Sequence, residues 1–251
     1  MTPDQYVYDV LNRHQSASSI LVANNVINSL TNSITTWANG HLNGVYVAGS
    51  IAKGTAISES SDVDILISVN PTATETLKEV YEKLFNRFTA DGLSPKRQNV
   101  SLGLDVSGWK VDVVPAKKQS LSTNDHSLWS HKSQARRETN IHNHVKYVAD
   151  SQRLNEIKLL KIWRKLHNLE FPSFPLEITV INVLSGRSTT TPSANFVKVL
   201  EFIRDSMSTA RVLDPTKPSN ILSDELTATE KNVLSISAHD SLGKNWEHVV
   251  W

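Results

Sequence analysis

Residues 47–69 read VAGSIAKGTAISESSDVDILISV, and this stretch decides the fold. An apolar strand breaks into Gly49-Ser50, and a second strand then carries Asp62 and Asp64. Side chains two apart on a strand project from the same face. Val63, Ile65 and Ile67 therefore face one way, and Asp62, Asp64 and Leu66 the other. This makes the aspartate side the polar one, with Pro71 ending the strand. Neighbouring carboxylates repel unless a proton or cation intervenes. Gly49-Ser50 closes a strand and opens a short helix or turn running to Ser60. Backbone N–H groups and a serine hydroxyl at such a place can receive phosphate oxygens. A tight turn beside a solvated Asp-x-Asp face is the plainer alternative, and it leaves the aspartates without a purpose.

Working outward, residues 18–39 carry Ile20, Ala23, Ile27, Leu30, Ile34 and Trp37 at helical period, stopping at Asn39-Gly40. A strand follows at Gly44–Ala48. Residues 73–90 read as an amphipathic helix with a Thr/Glu start. Strand-like pieces follow near 97–106 and 109–114, joined by Ser107-Gly108. The second of these, in WKVDVVPAKK, holds a third acid, Asp112, on a strand expected to neighbour the first. Three carboxylates in a chain with no cysteine suit Mg²⁺ or Mn²⁺ rather than zinc.

From about residue 140 the pattern turns helical: 152–168, Leu176–Leu184, Ser193–Met207 and a weaker Thr229–Ile236, with prolines between them. The expected class is α+β. A domain over 1–140, with its N-terminal helix, holds a mixed sheet with flanking helices, and a helical subdomain over 141–251 completes a ligand cleft; the resemblance given below makes the first the nucleotidyltransferase catalytic domain and the cleft a nucleotide cleft.

Charge narrows the partners. The chain has 26 Lys+Arg against 25 Asp+Glu, a formal +1, whereas proteins that coat nucleic acid need a clear basic excess. The start MTPDQYVYDV has no basic segment followed by an apolar one, so it is not read as a secretory signal. No apolar run approaches the roughly 18 residues of a membrane span. The expectation is a cytoplasmic protein without membrane attachment.

GSxxxGT followed by SDVD and a later VDVVPA resembles the catalytic core of the DNA polymerase β-like nucleotidyltransferases. Three further stretches are similar to one branch of that superfamily, comprising the cGAS/DncV-like enzymes (CD-NTases), oligoadenylate synthetases and archaeal-type CCA-adding enzymes. They are NEIKLLKIWRK (155–165), FPSFPLEITVI (171–181) and VLDPTKPSNIL (212–222). The resemblance implies that Asp62, Asp64 and Asp112 are catalytic and hold two Mg²⁺ (or Mn²⁺) ions. It implies that Gly49 and Ser50 hold a triphosphate with Lys53 and Lys161, that Ser173 touches phosphate, and that Phe174 stacks on a base where the family usually has tyrosine. Asn140 and His144 fall in a loop resembling one near the phosphates. Read without the family, Lys161 is equally a lysine snorkelling from an amphipathic helix, and Phe174 between two prolines is equally core. His142-Asn143-His144 spells an HNH motif without its ββα setting.

The implied chemistry is nucleotidyl transfer: a 3′- or 2′-hydroxyl displaces pyrophosphate, with metals steadying attacking and leaving oxygens. Asp112 would accept the hydroxyl proton, and Lys53 and Lys161 would balance the leaving charge. The first reading is a synthase joining ATP and/or GTP into a short cyclic or linear oligonucleotide messenger of antiphage signalling, with a regulatory protein or activator as partner. The alternative is a CCA-adding-like enzyme with an RNA acceptor, against which stands the absence of a basic surplus. A silent nucleotide-binding module is the third.

Overall fold

A computed structural model describes residues 1–17, 19–58, 62–169 and 171–251. Ser60, where the short helix or turn was expected to end, and Ser61 of SDVD lie outside the described residues. By its contacts the chain divides into two units: Ala17–Lys53 with Ser61–Val145, and Met1–Ser16 with Gly54–Ser60 and Lys146–Trp251.

The first helix, α1 (Pro3–Arg13), belongs to the second unit. It starts at a Thr2/Gln5 capping box with proline in its first turn, a helix start legible in the sequence yet absent from the reading above. In the first unit, α2 (Ile20–Ala38) begins where Ser19 Oγ accepts the Val22 N–H and ends at left-handed Asn39 (φ 44°). β1 (Leu42–Val47), α3 (Gly49–Lys53), β2 (Val63–Val69) and α4 (Leu77–Ala90) follow. α4 starts later than residue 73 because Thr76 is its cap: the hydroxyl accepts the Glu79 N–H and the Glu79 carboxylate takes the Thr76 N–H. Then come β3 (Lys96–Arg97), β4 (Leu102–Val106), β5 (Trp109–Lys118), β6 (His126–Ser130), β7 (Ala135–Thr139) and α5 (Ile141–Ala149).

Among the described residues the strands form one mixed sheet in the order β1-β2-β5-β4-β3, with β6 on β5 and β7 on β6. β2 and β5 run parallel and the other pairs antiparallel. Ser107 and Gly108, with φ of 53° and 81°, make the two-residue turn that suits the twist of the β4–β5 hairpin. β5 runs on to Lys118 because it serves two partners, β4 as far as Val113 and β6 from Ala116. Pro115 falls in the interval, where a residue without an N–H is tolerated.

Val69 packs with Val80 of α4 and Trp37 of α2, and the Trp37 indole donates to the Val80 carbonyl (3.2 Å). The aspartate side departs from the expected polar face. Beyond Asp64 it carries Leu66 and Ser68, both buried, and Leu66 packs with Ala116, Leu128 and Ile141 of α5. A strand covered on both sides cannot show clean alternation.

In the second unit, α6 (Leu154–Leu166), α7 (Ser173–Val183), α8 (Pro192–Ser206) and α9 (Ala228–Leu242) enclose Trp163, Phe196, Ile203 and Leu234, all fully buried. Trp163 donates its indole N–H to Ser241 Oγ (2.9 Å). α9 outruns the weak periodic signal because a Thr227/Glu230 capping box fixes its start. In VLDPTKPSNIL, Asp214 accepts the N–H groups of Thr216 (2.8 Å) and Lys217 (3.2 Å) and the Asn220 amide (3.3 Å), so this segment is a side-chain-closed turn. No helix among the described residues is long and apolar enough to cross a membrane.

Candidate functional site

The end of β1 is stapled to β2 by the Ala48 N–H, which donates to the Asp64 carbonyl (2.8 Å). The chain then turns at Gly49 (φ +58°) into α3, a left-handed conformation that glycine adopts without strain. The Asp64 carboxyl group lies against this glycine: a Cβ on Gly49 would overlap it and stand 2.7 Å from the Asp64 Cβ. Ser50 and Lys53 follow on α3, half-buried. Across the parallel ladder, Asp64 is the register partner of Asp112. Asp62 is exposed just before β2.

Asp112 is held from β4's side of the sheet. Gln98 Nε2 donates to its Oδ1 (2.8 Å). Gln98 is in turn oriented by Ser101, whose hydroxyl donates to its Oε1 (2.7 Å), and by the Tyr81 hydroxyl, which donates to the Gln98 and Ser101 carbonyls (3.1 and 2.9 Å). Gly103, the ladder partner of Asp112, leaves room for this amide: a Cβ there would stand 2.8 Å from Gln98 Nε2. Burial pushes the Asp112 carboxyl above the usual carboxylate range; the Gln98 bond works against that and the Asp62 charge adds to it.

The donors fit a hard divalent cation. They are carboxylate oxygens only, and the repulsion of Asp62 raises Asp112 in the way a cation would relieve. Among the described residues, however, no three such groups are drawn into one ligand cluster. Asp112 turns to Gln98 and Asp64 lies beneath Gly49.

Of the remaining expected residues, Lys161, Ser173 and Phe174 lie in the second unit and Asn140 and His144 in the first. Lys161 is buried on α6, and its ammonium donates to the Thr55 carbonyl (3.2 Å), Thr55 Oγ1 (3.4 Å) and Glu177 Oε1 (3.4 Å). Thr55 Oγ1 also donates to Glu177 (3.2 Å). Ser173 opens α7 and lines a cavity of about 10 Å³ with Lys161, Arg164 and Glu177. Phe174 is half-buried against the helical core. Asn140 caps α5 by accepting the Asn143 N–H (3.0 Å) and donates its amide to Asp125 (3.0 Å). His142-Asn143-His144 is helical.

Sequence reasoning passed over Gln98, Tyr81 and Gly103. Their partnership with Asp112 is written in ladder register, which no local pattern carries. It also passed over Thr55 and Glu177, although both stand inside the quoted motifs.

The family described as Nucleotidyltransferase domain matches residues 37–142. A cyclic AMP-AMP-AMP synthase of Escherichia coli (strain MS 115-1) is 25% identical over 154 residues, 56% of this chain and 48% of that protein. The chain thus spans about half the length of that curated relative. The structure of E. coli MS115-1 CdnC with ATP superposes with a TM-score of 0.73 at 18% identity, over 95% of this chain and 90% of that one. CdnC has also been solved in a CdnC:HORMA-deltaN complex. The Bradyrhizobium diazoefficiens CD-NTase CdnG in complex with GTP gives 0.80 at 11% identity, over 97% and 91%. Residues 37–142 thus match the nucleotidyltransferase domain family, and the chain has the fold of the CD-NTases.

Proposed function

We propose that the chain joins nucleoside triphosphates, ATP and/or GTP, into a short cyclic or linear oligonucleotide messenger. The observation that carries this reading is the pairing of Asp64 with Asp112 beneath the Gly49 turn. The E. coli relative, named for making a cyclic adenylate trimer, supports it. Asp62, Asp64 and Asp112 would hold Mg²⁺ or Mn²⁺. Two such ions, when bound, supply Lewis-acid stabilisation of the attacking and leaving oxygens.

The chain's own groups do the rest. Gly49 and Ser50 hold the phosphates and Lys53 offsets charge on the departing pyrophosphate. Asp112 takes the proton of the attacking hydroxyl, and its raised carboxyl is a stronger base than an exposed one. Lys161 and Ser173 contact phosphate, and Phe174 stacks on a base. A regulatory protein partner, on the pattern of the CdnC:HORMA-deltaN complex, is part of the proposal.

The test is incubation of the purified protein with four labelled NTPs and Mg²⁺ or Mn²⁺, with tRNA alongside. A phosphatase-resistant small oligonucleotide, lost in Asp62→Ala/Asp64→Ala, supports the reading. Label confined to tRNA replaces it with an RNA-modifying enzyme.

A further inference from the structure

The glutamine beside Asp112 is held more firmly than an exposed side chain requires. Gln98 is exposed, so water could satisfy both ends of its amide. Instead the turn that bears it is closed and anchored. The Gln98 N–H donates to the Ser101 carbonyl (3.0 Å), and the Tyr81 hydroxyl, from α4, donates to the carbonyls of both residues. Between them, Asn99 is fastened to the β6–β7 hairpin. Its Oδ1 accepts the Ser130 hydroxyl (2.8 Å) and the Lys132 N–H (3.0 Å), and its carbonyl accepts the His131 N–H (2.6 Å). The hydroxyl of buried Ser101 then donates to the Gln98 amide oxygen, which makes Nε2 the end presented to Asp112.

The strand opposite is cut to fit this amide. Glycine inside a strand forfeits packing and often marks a close approach, and Gly103 lies inside β4. A Cβ there would stand 2.8 Å from Gln98 Nε2 but 3.6 Å from Asp112 Oδ1. The missing methyl therefore makes room for the glutamine, not for the aspartate. On its other flank Asp112 has Asp64 as ladder partner. One side of the carboxylate thus meets like charge and the other a fixed donor.

We propose that Gln98 is the positioning residue of Asp112: its amide holds one carboxylate oxygen and so fixes the plane in which the second is offered to a divalent cation and to the proton of the attacking hydroxyl. The inference rests on the nucleotidyltransferase reading and deepens it. Outer hydrogen bonds of this kind orient ligating carboxylates, and losing one costs about 10–100-fold in metal affinity or activity. Gly103 serves the same end by leaving the amide its place.

The experiment measures Mn²⁺ binding to the full chain by electron paramagnetic resonance, with and without non-cleavable α,β-methylene-ATP, beside kcat and KM for oligonucleotide formation. The variants are Gln98→Met, which keeps the side chain's length without its N–H, Gln98→Ala, Gly103→Ala and Gly103→Ala/Gln98→Ala, each checked for folding by urea titration. Gln98→Met and Gln98→Ala should weaken Mn²⁺ binding and lower kcat by about 10–100-fold, with KM moved by less than about twofold. Gly103→Ala should reproduce that loss by pushing the amide aside. The double variant should be no worse than Gln98→Ala alone, because both changes remove one interaction. If the losses of the double variant multiply, or if wild type binds no Mn²⁺, the inference is wrong. If Gln98→Met weakens Mn²⁺ binding while wild type makes no oligonucleotide, the functional reading fails and the positioning role stands. If product forms and Gln98→Met changes neither Mn²⁺ affinity nor kcat, the positioning role fails and the functional reading stands.

Discussion

Gly49→Ala separates what the Gly-Ser turn demands of its backbone from what it demands of the site. The residue sits at φ +58°, and an L side chain in the left-handed region costs roughly 1–2 kcal/mol. Gly92 is a control: its φ is +80° and nothing lies within 4 Å of a Cβ built there. Gly92→Ala should therefore cost roughly the same 1–2 kcal/mol in stability and leave turnover intact. At Gly49 the new methyl also meets Asp64, whose own Cβ would be 2.7 Å away where ordinary contact begins at 3.4 Å. Rotating the carboxylate cannot relieve that contact, because the Cβ is fixed to β2. The turn or the strand must yield by several tenths of an ångström, and a misplacement on the order of 1 Å can cost about 10²-fold in rate. Urea unfolding and oligonucleotide formation would be measured on both variants. A Gly49→Ala enzyme that loses no more activity than Gly92→Ala refutes the view that this glycine exists for Asp64.

Other perturbations probe separate parts. On the proposed role of Asp112 as general base, Asp112→Asn should cut turnover by about 10²–10⁴-fold, while leaving the urea midpoint unchanged or raised, because it removes a half-buried carboxyl repelled by Asp62 and keeps an acceptor for Gln98; a fall in stability would count against that account. Glu177→Leu should destabilise by about 3–5 kcal/mol by leaving the Lys161 ammonium buried without its carboxylate, and Lys161→Met/Glu177→Leu should recover most of the loss, read as a double-mutant cycle. His126 titrates below the usual imidazole range when folded, so the unfolded chain takes its proton first. Stability is then full above the ordinary imidazole pKa and falls as pH drops from there toward the folded value, by up to about 1.4 kcal/mol per pH unit. His126→Gln should flatten that dependence in urea titrations at pH 7.5 and 5.5. Tyr81→Phe should cost about 1–2 kcal/mol, since a buried carbonyl (Ser101) and a part-buried one (Gln98) lose a donor.

The sequence was most informative where side chains repeat at short intervals. The α2 and α6 stripes, the Asp62–Asp64 spacing and the hairpin at Ser107-Gly108 are all local statements, and the structure places them close to their expected bounds. β6 and β7 were missed because Ser127, Ser130, Arg136 and Arg137 interrupt any apolar alternation; these strands exist by pairing with β5 and with each other. The polar side assigned to β2 proved half right, since Leu66 and Ser68 are covered by elements distant in sequence. At the site, the aspartates could be found from spacing. Gln98 could not, because its relation to Asp112 runs through ladder register and a tyrosine on α4.

The Asn140–Asp125 bond has a mechanical consequence. It fastens the cap of α5 to the segment bearing Asn124, so the start of that helix and the loop before β6 form one cooperative patch. Amide exchange at Asp125 and Asn143 should therefore respond together to mild denaturant, and Asn140→Ala should uncouple them. Two segments latched in this way open and close as a single piece.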